Sequence, residues 1–209
     1  MDNISNKRNI IDFRHLKIVY WGPGESGKTT NFLRLKGKYK DSVLNSGIQI
    51  KTTDDRTLWE DSVSINLINK YNEYCTYYII NIVTCTGQER FLTTREYVLQ
   101  GADGIIFVAD SDPKKLEENK RSFKELLSFI ARRPLPYLIE LNKRDLPNAI
   151  SIKRFKMELN LPLEEYDMDG NRVVYPCSLL DPNDEIYNEI FQDLILKILV
   201  SEYANLINN

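Results

Sequence analysis

Gly22-Pro-Gly-Glu-Ser-Gly-Lys-Thr-Thr30 stands directly behind the apolar run Leu16-Lys-Ile-Val-Tyr-Trp21. A short apolar strand, a glycine-rich loop and the start of a helix, in that order, decide the fold. The spacing of Gly22, Gly27, Lys28 and Thr29 matches a phosphate-binding loop, in which bare backbone N–H groups curl around phosphates and a lysine neutralises them. Gly22, Gly24, Glu25, Ser26, Gly27, Lys28, Thr29 and Thr30 are the residues expected to form that cradle. Lys28 supplies charge for both binding and catalysis, and the Thr29 hydroxyl suits a Mg²⁺ ligand. A plain turn before a helix is the competing reading, and the strand in front of it weighs against that. The chain is expected to hold a nucleoside triphosphate.

Outward from this loop, apolar runs at Leu16–Trp21, Tyr77–Val83, Gly104–Ala109 and Tyr137–Leu141 are short and rich in Ile, Val or Tyr. They read as buried parallel strands. Leu58–Ile68 alternates apolar and polar residues and turns through Asn69-Lys-Tyr-Asn72 into the next strand, which predicts a hairpin with one antiparallel edge strand. Helices are expected near Thr29–Leu35, Thr93–Leu99, Lys114–Ala131, Ile152–Leu159 and Asp184–Asn205, with Asp112-Pro113 and Pro182 as start signals. The last places Ile186, Ile190, Leu194 and Ile198 on one face and Glu189, Asp193, Lys197 and Glu202 opposite, so it packs on the sheet rather than on a membrane. The stretch Gly37–Asp55 lacks clear periodicity and reads as a long functional loop. The expected class is α/β: a P-loop nucleotide-binding domain with a mostly parallel central sheet, one antiparallel edge strand and helices on both faces.

At 209 residues with 42% hydrophobic content, one domain over 1–209 is expected, with a short polar N-terminal extension over 1–14. A net charge of −2 gives no broad attraction for nucleic acid or anionic membrane. Cys75, Cys85 and Cys177 are odd in number and form no CxxC pair, so neither a disulfide framework nor a zinc site is indicated, and a reducing cytoplasm fits best. His15 is the single histidine, read as a surface residue ahead of the first strand. No secretory signal, membrane span, myristoylation glycine (Asp2 follows Met1) or prenylation box is read, so no lipid anchor is expected.

Asn142-Lys-Arg-Asp145 follows the strand Tyr137–Leu141 and so falls at the carboxyl edge of the sheet, near the nucleotide. It matches the Asn-Lys-x-Asp guanine box. Asp145 can accept from both the ring N–H and the exocyclic amine of guanine, whereas adenine would face it with a lone pair; an unpaired buried polar group of this kind rejects the wrong base by about 10⁴-fold.

Between the two boxes, Thr84-Cys-Thr-Gly-Gln-Glu-Arg-Phe91 closes a strand, and here the chain resembles the small Ras-superfamily GTPases, whose segment reads Asp-x-x-Gly-Gln. Gly87 and Gln88 match, and Thr84 stands at the aspartate. That departure is similar to the gliding-motility, MglA-like polarity GTPases of bacteria and archaea. So are Tyr20-Trp-Gly-Pro-Gly24, Gly27-Lys-Thr-Thr-Asn31, Thr53-Asp-Asp-Arg-Thr-Leu58, Gly104-Ile-Ile-Phe-Val-Ala-Asp-Ser111 and Asn142-Lys-Arg-Asp-Leu-Pro-Asn148.

The resemblance implies GTP as substrate, GDP as product and Mg²⁺ as cofactor. It implies that the Gly87 N–H meets the γ-phosphate, that Gln88 orients the attacking water, and that Arg56 serves as an arginine finger in cis. Thr57 becomes the switch ligand to Mg²⁺, with Thr52 and Thr53 left open. A neutral Thr84 predicts weaker Mg²⁺ binding, unless Asp54 or Asp55 supplies the missing charge. Gly24 leaves room for Gln88 and an incoming arginine. Asn142, Lys143 and Asp145 hold the base, joined by Cys177 of Tyr175-Pro-Cys-Ser178 through its backbone N–H. A Roadblock-domain, MglB-like regulator or effector is implied, with a monomer when alone and no nucleic-acid partner. Trp59 and Phe91 are either part of that partner surface or core.

A guanine-nucleotide scaffold that does not turn over is the alternative of a different class, supported by Thr84 and opposed by Gln88 and Gly24. A P-loop nucleotide kinase is made remote by the guanine box.

Overall fold

The computed structural model describes residues 10–46, 62–71, 74–85, 97–168 and 170–207. Strand β1 (Ile10–Trp21) shows why the sheet is covered on both sides. Leu16, Ile18 and Tyr20 enter one core cluster while Val19 and Trp21 enter another, all of them buried. A strand wrapped in this way reads as a continuous apolar run, which is the signature of a strand inside a parallel sheet.

Helix α1 (Lys28–Lys38) leads through a 3₁₀ turn (Lys40–Ser42) to β2 (Val43–Ser46), and the hairpin of β3 (Ser62–Tyr71) and β4 (Tyr74–Thr84) follows. Then come β5 (Gly104–Asp110), a 3₁₀ turn (Pro113–Lys115), α2 (Leu116–Ile130), β6 (Tyr137–Asn142), α3 (Ile152–Glu158), β7 (Tyr175–Pro176) and α4 (Ile186–Ile207). The described strands form one sheet in the order β2-β3-β4-β1-β5-β6-β7. Only β3 runs against its neighbours, so the sheet is mostly parallel, as expected.

One core cluster lies under α1 and α4, where Phe32 and Leu35 meet Ile190, Phe191, Leu194 and Ile198. The other lies under α2 and α3, where Phe123, Leu126 and Phe155 meet Phe107, Ile139 and Leu141. Truncating any of these fully buried aliphatic side chains to alanine costs about 2–5 kcal/mol. Gly104 lets α4 close on β5, since a Cβ there would stand 2.7 Å from the Ile198 side chain.

Several boundaries differ from the expectation. β1 starts at Ile10, so residues 10–14 belong to the sheet and not to an N-terminal extension, and the exposed His15 lies within the strand. Long pairing with β4, from Ile10↔Tyr74 to Tyr20↔Thr84, holds this polar stretch in place. The antiparallel strand β3 is present, but β2 flanks it from Val63 to Ile65, so β3 is the edge only beyond that point. Part of the supposed loop Gly37–Asp55 is ordered as the end of α1, the 3₁₀ turn and β2.

Tyr175–Pro176 forms a two-residue strand beside Glu140 and Leu141 where a loop was read. Side chains cap the 3₁₀ turn ahead of α2 and the start of α3, while the helix signalled by Pro182 begins at Ile186. Asp112 Oδ1 accepts from the Lys114 N–H, and Ser151 Oγ accepts from the Arg154 N–H. The outer face of α4 is less polar than its charges suggested, since Leu196, Val200 and Tyr203 are exposed. Among the described residues, no helix is long and apolar enough to cross a membrane.

Candidate nucleotide-binding site

β1 lies between β4 and β5, pairing through Tyr20 with Thr84 on one side and Ile106 on the other. Chain direction carries the connections away from β1 on opposite sides, so the loop after Trp21 emerges at the topological switch point, where ligands of α/β sheets bind.

The loop has the backbone shape of an anion cradle. Gly22, Glu25 and Gly27 all have positive φ, at 150°, 63° and 111°. A Cβ on Gly22 would overlap the Val108 carbonyl oxygen, and one on Gly27 would overlap the Asn142 amide. Left-handed residues interleaved with ordinary ones turn successive N–H groups inward.

Gly27 also caps α1, and no side chain caps that end or places an acid in its first turn. The first-turn N–H groups, which have no partner within the helix itself, and the positive end of the helix dipole therefore suit an anion. Lys28 is buried, and its Nζ donates to the carbonyls of Gly22 at 3.1 Å and Pro23 at 2.6 Å, which ties the ammonium across the loop. Ser26 Oγ is buried without a hydrogen bond, a polar atom in want of a partner beside the cradle. Thr29 is exposed on the first turn, and Thr30 and Gly24 are partly exposed.

The base-side loop is held by side chains. Asn142, at the end of β6, donates through Nδ2 to the Ser26 carbonyl at 2.9 Å and accepts through Oδ1 from the Leu179 N–H at 3.2 Å. One amide thus fastens the phosphate loop to the loop after β7. Lys143 adopts φ 64°, an unfavourable state for a residue with a side chain. Its Nζ meets Asp110 Oδ2 at 2.6 Å, and that carboxylate is buried at the end of β5.

Asp110 is in turn gripped by Asn119 of α2, which accepts from its N–H at 3.0 Å and donates to its carbonyl at 2.8 Å. Asp145 is exposed, and Oδ1 accepts from Ser178 Oγ at 2.6 Å. Cys177 requires a correction: its N–H donates to the Leu141 carbonyl at 3.0 Å, within the β6–β7 pairing, so it is not presented to a base. The thiol is buried, and burial followed by the nearby Glu140 pushes its pKa up.

Arg34 joins the two halves. Its Nη1 donates to the carbonyls of Leu179 and Asp181, and its Nη2 to those of Pro182 and Asp184, at 2.8–3.2 Å. The guanidinium also stacks 4.3 Å above the Tyr187 ring. Sequence reasoning gave no role to Arg34, Asp110, Asn119 or Ser178, although Asp110 and Ser178 lie within stretches read as motifs, because each acts by holding another residue.

Thr84, at the end of β4, is buried, and its Oγ1 carries no hydrogen bond. Among the described residues no three His, Cys, Asp or Glu side chains cluster to hold a metal. The exposed Thr29 hydroxyl suits a hard cation that draws most of its oxygen ligands from outside the chain, and the described residues do not offer an all-protein cage. Arg56, Thr57, Gly87 and Gln88, together with Thr52, Thr53, Asp54, Asp55, Trp59 and Phe91, lie outside the described residues.

Comparison with known proteins agrees with this architecture. The ADP-ribosylation factor family profile matches residues 68–195. The chain is 36% identical over 149 residues to the mutual gliding-motility protein MglA of Myxococcus xanthus, covering 69% of this chain and 75% of that protein. It is 26% identical over 198 residues to human ADP-ribosylation factor-like protein 4C, covering 92% of this chain and 94% of that protein.

Proposed function

The chain belongs to the ADP-ribosylation factor family of small GTPases, and on that premise we propose a Mg²⁺-dependent GTP switch that hydrolyses GTP and signals to a partner through its switch loops. The observation that supports this most is the start of α1, capped by Gly27 with no side-chain cap, behind a loop with three positive-φ residues, with the Asn142–Asp145 box fastened to that loop by Asn142.

In this reading the loop N–H groups and Lys28 hold the β- and γ-phosphates, and Lys28 leaves the carbonyls of Gly22 and Pro23 to do so. Asp145 accepts from the guanine ring N–H and amine, with Ser178 fixing its orientation. Lys143, held by Asp110, lies along the base. Thr29 and Thr57 hold the metal ion. Mg²⁺, when bound, neutralises charge that builds on the phosphates as the γ-phosphoryl leaves. Gln88 orients the water that attacks, and Arg56 stabilises the transition state. We further propose a regulator, since a site of this kind turns over slowly alone, at roughly 10⁻⁴ s⁻¹, or roughly 10⁻² s⁻¹ with an arginine in cis, and the resemblance to the MglA-like GTPases is what points to a Roadblock-domain protein in that role.

Single-turnover phosphate release from GTP-loaded protein with Mg²⁺ tests this. Release that Arg56→Ala slows without weakening nucleotide binding supports it. GTP that survives indefinitely favours the second reading, a scaffold that binds and does not turn over. The neutral, buried Thr84 at the position of the usual aspartate is what speaks for that reading.

A further inference from the structure

Glu140 of β6 lies beneath the site, fully buried, two residues before Asn142. Its Oε1 accepts from Asn31 Nδ2 at 2.8 Å, and Asn31 sits on the first turns of α1, three residues after Lys28. Asn31 Nδ2 also reaches the carbonyl of Gly27, the cap of that helix, at 3.4 Å. This is a second tie between the phosphate loop and the base-binding strand, parallel to the one made by Asn142.

Several polar atoms around Glu140 are left without a hydrogen bond. Glu140 Oε2, Asn31 Oδ1 and the Tyr20 hydroxyl are all buried without partners. The charged and titratable groups facing the carboxyl are Tyr20 from β1, Arg34 from α1, Cys177 after β7 and Asp184 ahead of α4. Arg34 spends its donors on the carbonyls of 179–184 and does not pair with Glu140. On the sheet, Val108 and Tyr175 flank Glu140, and the Tyr175 hydroxyl is committed to Asp193 at 2.7 Å. Among the described residues no side chain forms a salt bridge with Glu140, and burying a carboxylate without an ion pair favours its protonated form.

We propose that Glu140 is a positioning residue for guanine-nucleotide binding: its protonated carboxyl holds α1 and the phosphate loop against β6, and its deprotonation to bulk water loosens the loop and releases nucleotide. The inference rests on the functional reading above and adds to it a regulatory input. Burial, reinforced by Asp184, raises the carboxyl to about 8, while the Asn31 hydrogen bond and Arg34 pull the other way. Bound phosphates add negative charge at the other end of the Asn31 tie and favour the neutral form further. By linkage, nucleotide then binds more tightly when Glu140 is protonated, and affinity falls as pH rises through the mildly alkaline range.

The test is release of a fluorescent GDP analogue with Mg²⁺, at about pH 7 and about pH 9, alongside melting temperatures at both. The wild-type chain should release roughly three- to tenfold faster at the higher pH, and Glu140→Gln should bring that ratio close to one. Ionisation of the guanine base itself is common to both proteins and cancels in the comparison. A merely structural Glu140 would shift melting in the variant and leave the ratio where it was. Should the Gln variant not fold, Glu140→Met reads the same ratio. A flat wild-type profile, or a variant ratio as large as that of the wild type, overturns the proposal. Absence of guanine-nucleotide binding at either pH overturns the functional reading and this inference with it.

Discussion

The phosphate half and the base half of the site sit on adjacent loops of one sheet edge and are built from different materials. The phosphate half is backbone: three positive-φ residues, a helix end without a side-chain cap, and a lysine turned onto two carbonyls. The base half is side chain: Asn142, the Asp110–Lys143 pair and the Ser178–Asp145 contact. Phosphate carries no shape that distinguishes one nucleotide from another, so N–H groups in a fixed curl suffice for it. A purine edge must be read donor by donor, which only side chains can do. The lesson is that chemistry at the two ends should fail differently: identity lost at one, all affinity at the other.

The largest break is on the base side. Asp145→Asn should lower GDP affinity by about 10³-fold or more and raise affinity for the xanthine nucleotide, whose second carbonyl accepts from the new amide. Competition binding with both nucleotides reads it directly. On the phosphate side, Gly27→Val should weaken GDP and xanthine nucleotide alike by roughly 100-fold. It strains a residue at φ 111° and drives a side chain into the Asn142 amide, so the melting temperature should fall with it. A variant that lost only guanine preference would erase the distinction between the halves.

Arg34→Ala probes the joint. Four carbonyl contacts and the Tyr187 stack should be worth about 1–3 kcal/mol of stability, and Arg34→Lys should recover little, since a point charge cannot replace the planar fork. Chemical denaturation of the three proteins side by side measures it.

The last expected effect is on pH-dependent stability. The folded chain keeps the Glu140 proton to about pH 8, whereas the ordinary carboxyl value is 4.5. The unfolded state therefore binds fewer protons between those values. Stability drains away as pH rises from about 4.5 to about 8 and levels off above. Glu140→Gln has no such proton to lose, so its melting temperature relative to the wild type should be higher at about pH 8 than at about pH 5. Equal differences at both would place the titration elsewhere.

Much of the backbone half was legible because its physics is local. A glycine–lysine–threonine spacing behind an apolar strand specifies a curl and a helix start without reference to distant residues. The parallel strands β1, β4, β5 and β6 were visible for the same reason, as short, mostly apolar runs. The base box was legible as four residues, but its supports were not. Asp110, Asn119, Arg34 and Ser178 come from four separate stretches of chain and meet only after folding. Cys177 was misassigned because a two-residue strand leaves no periodic trace, and pairing with β6 uses the N–H that the resemblance offered to the base. β1 was read six residues short because Ile10–His15 mixes polar and apolar residues, and its pairing is set by the length of β4 and not by its own pattern.

Trp21 ends β1 one residue before the phosphate loop, wholly enclosed, with its indole N–H on the Ser122 carbonyl at 3.1 Å and its ring edge-on to Phe129. An indole in so dry and rigid a setting emits toward the blue. The chain thus carries a shielded fluorophore at the root of its phosphate loop.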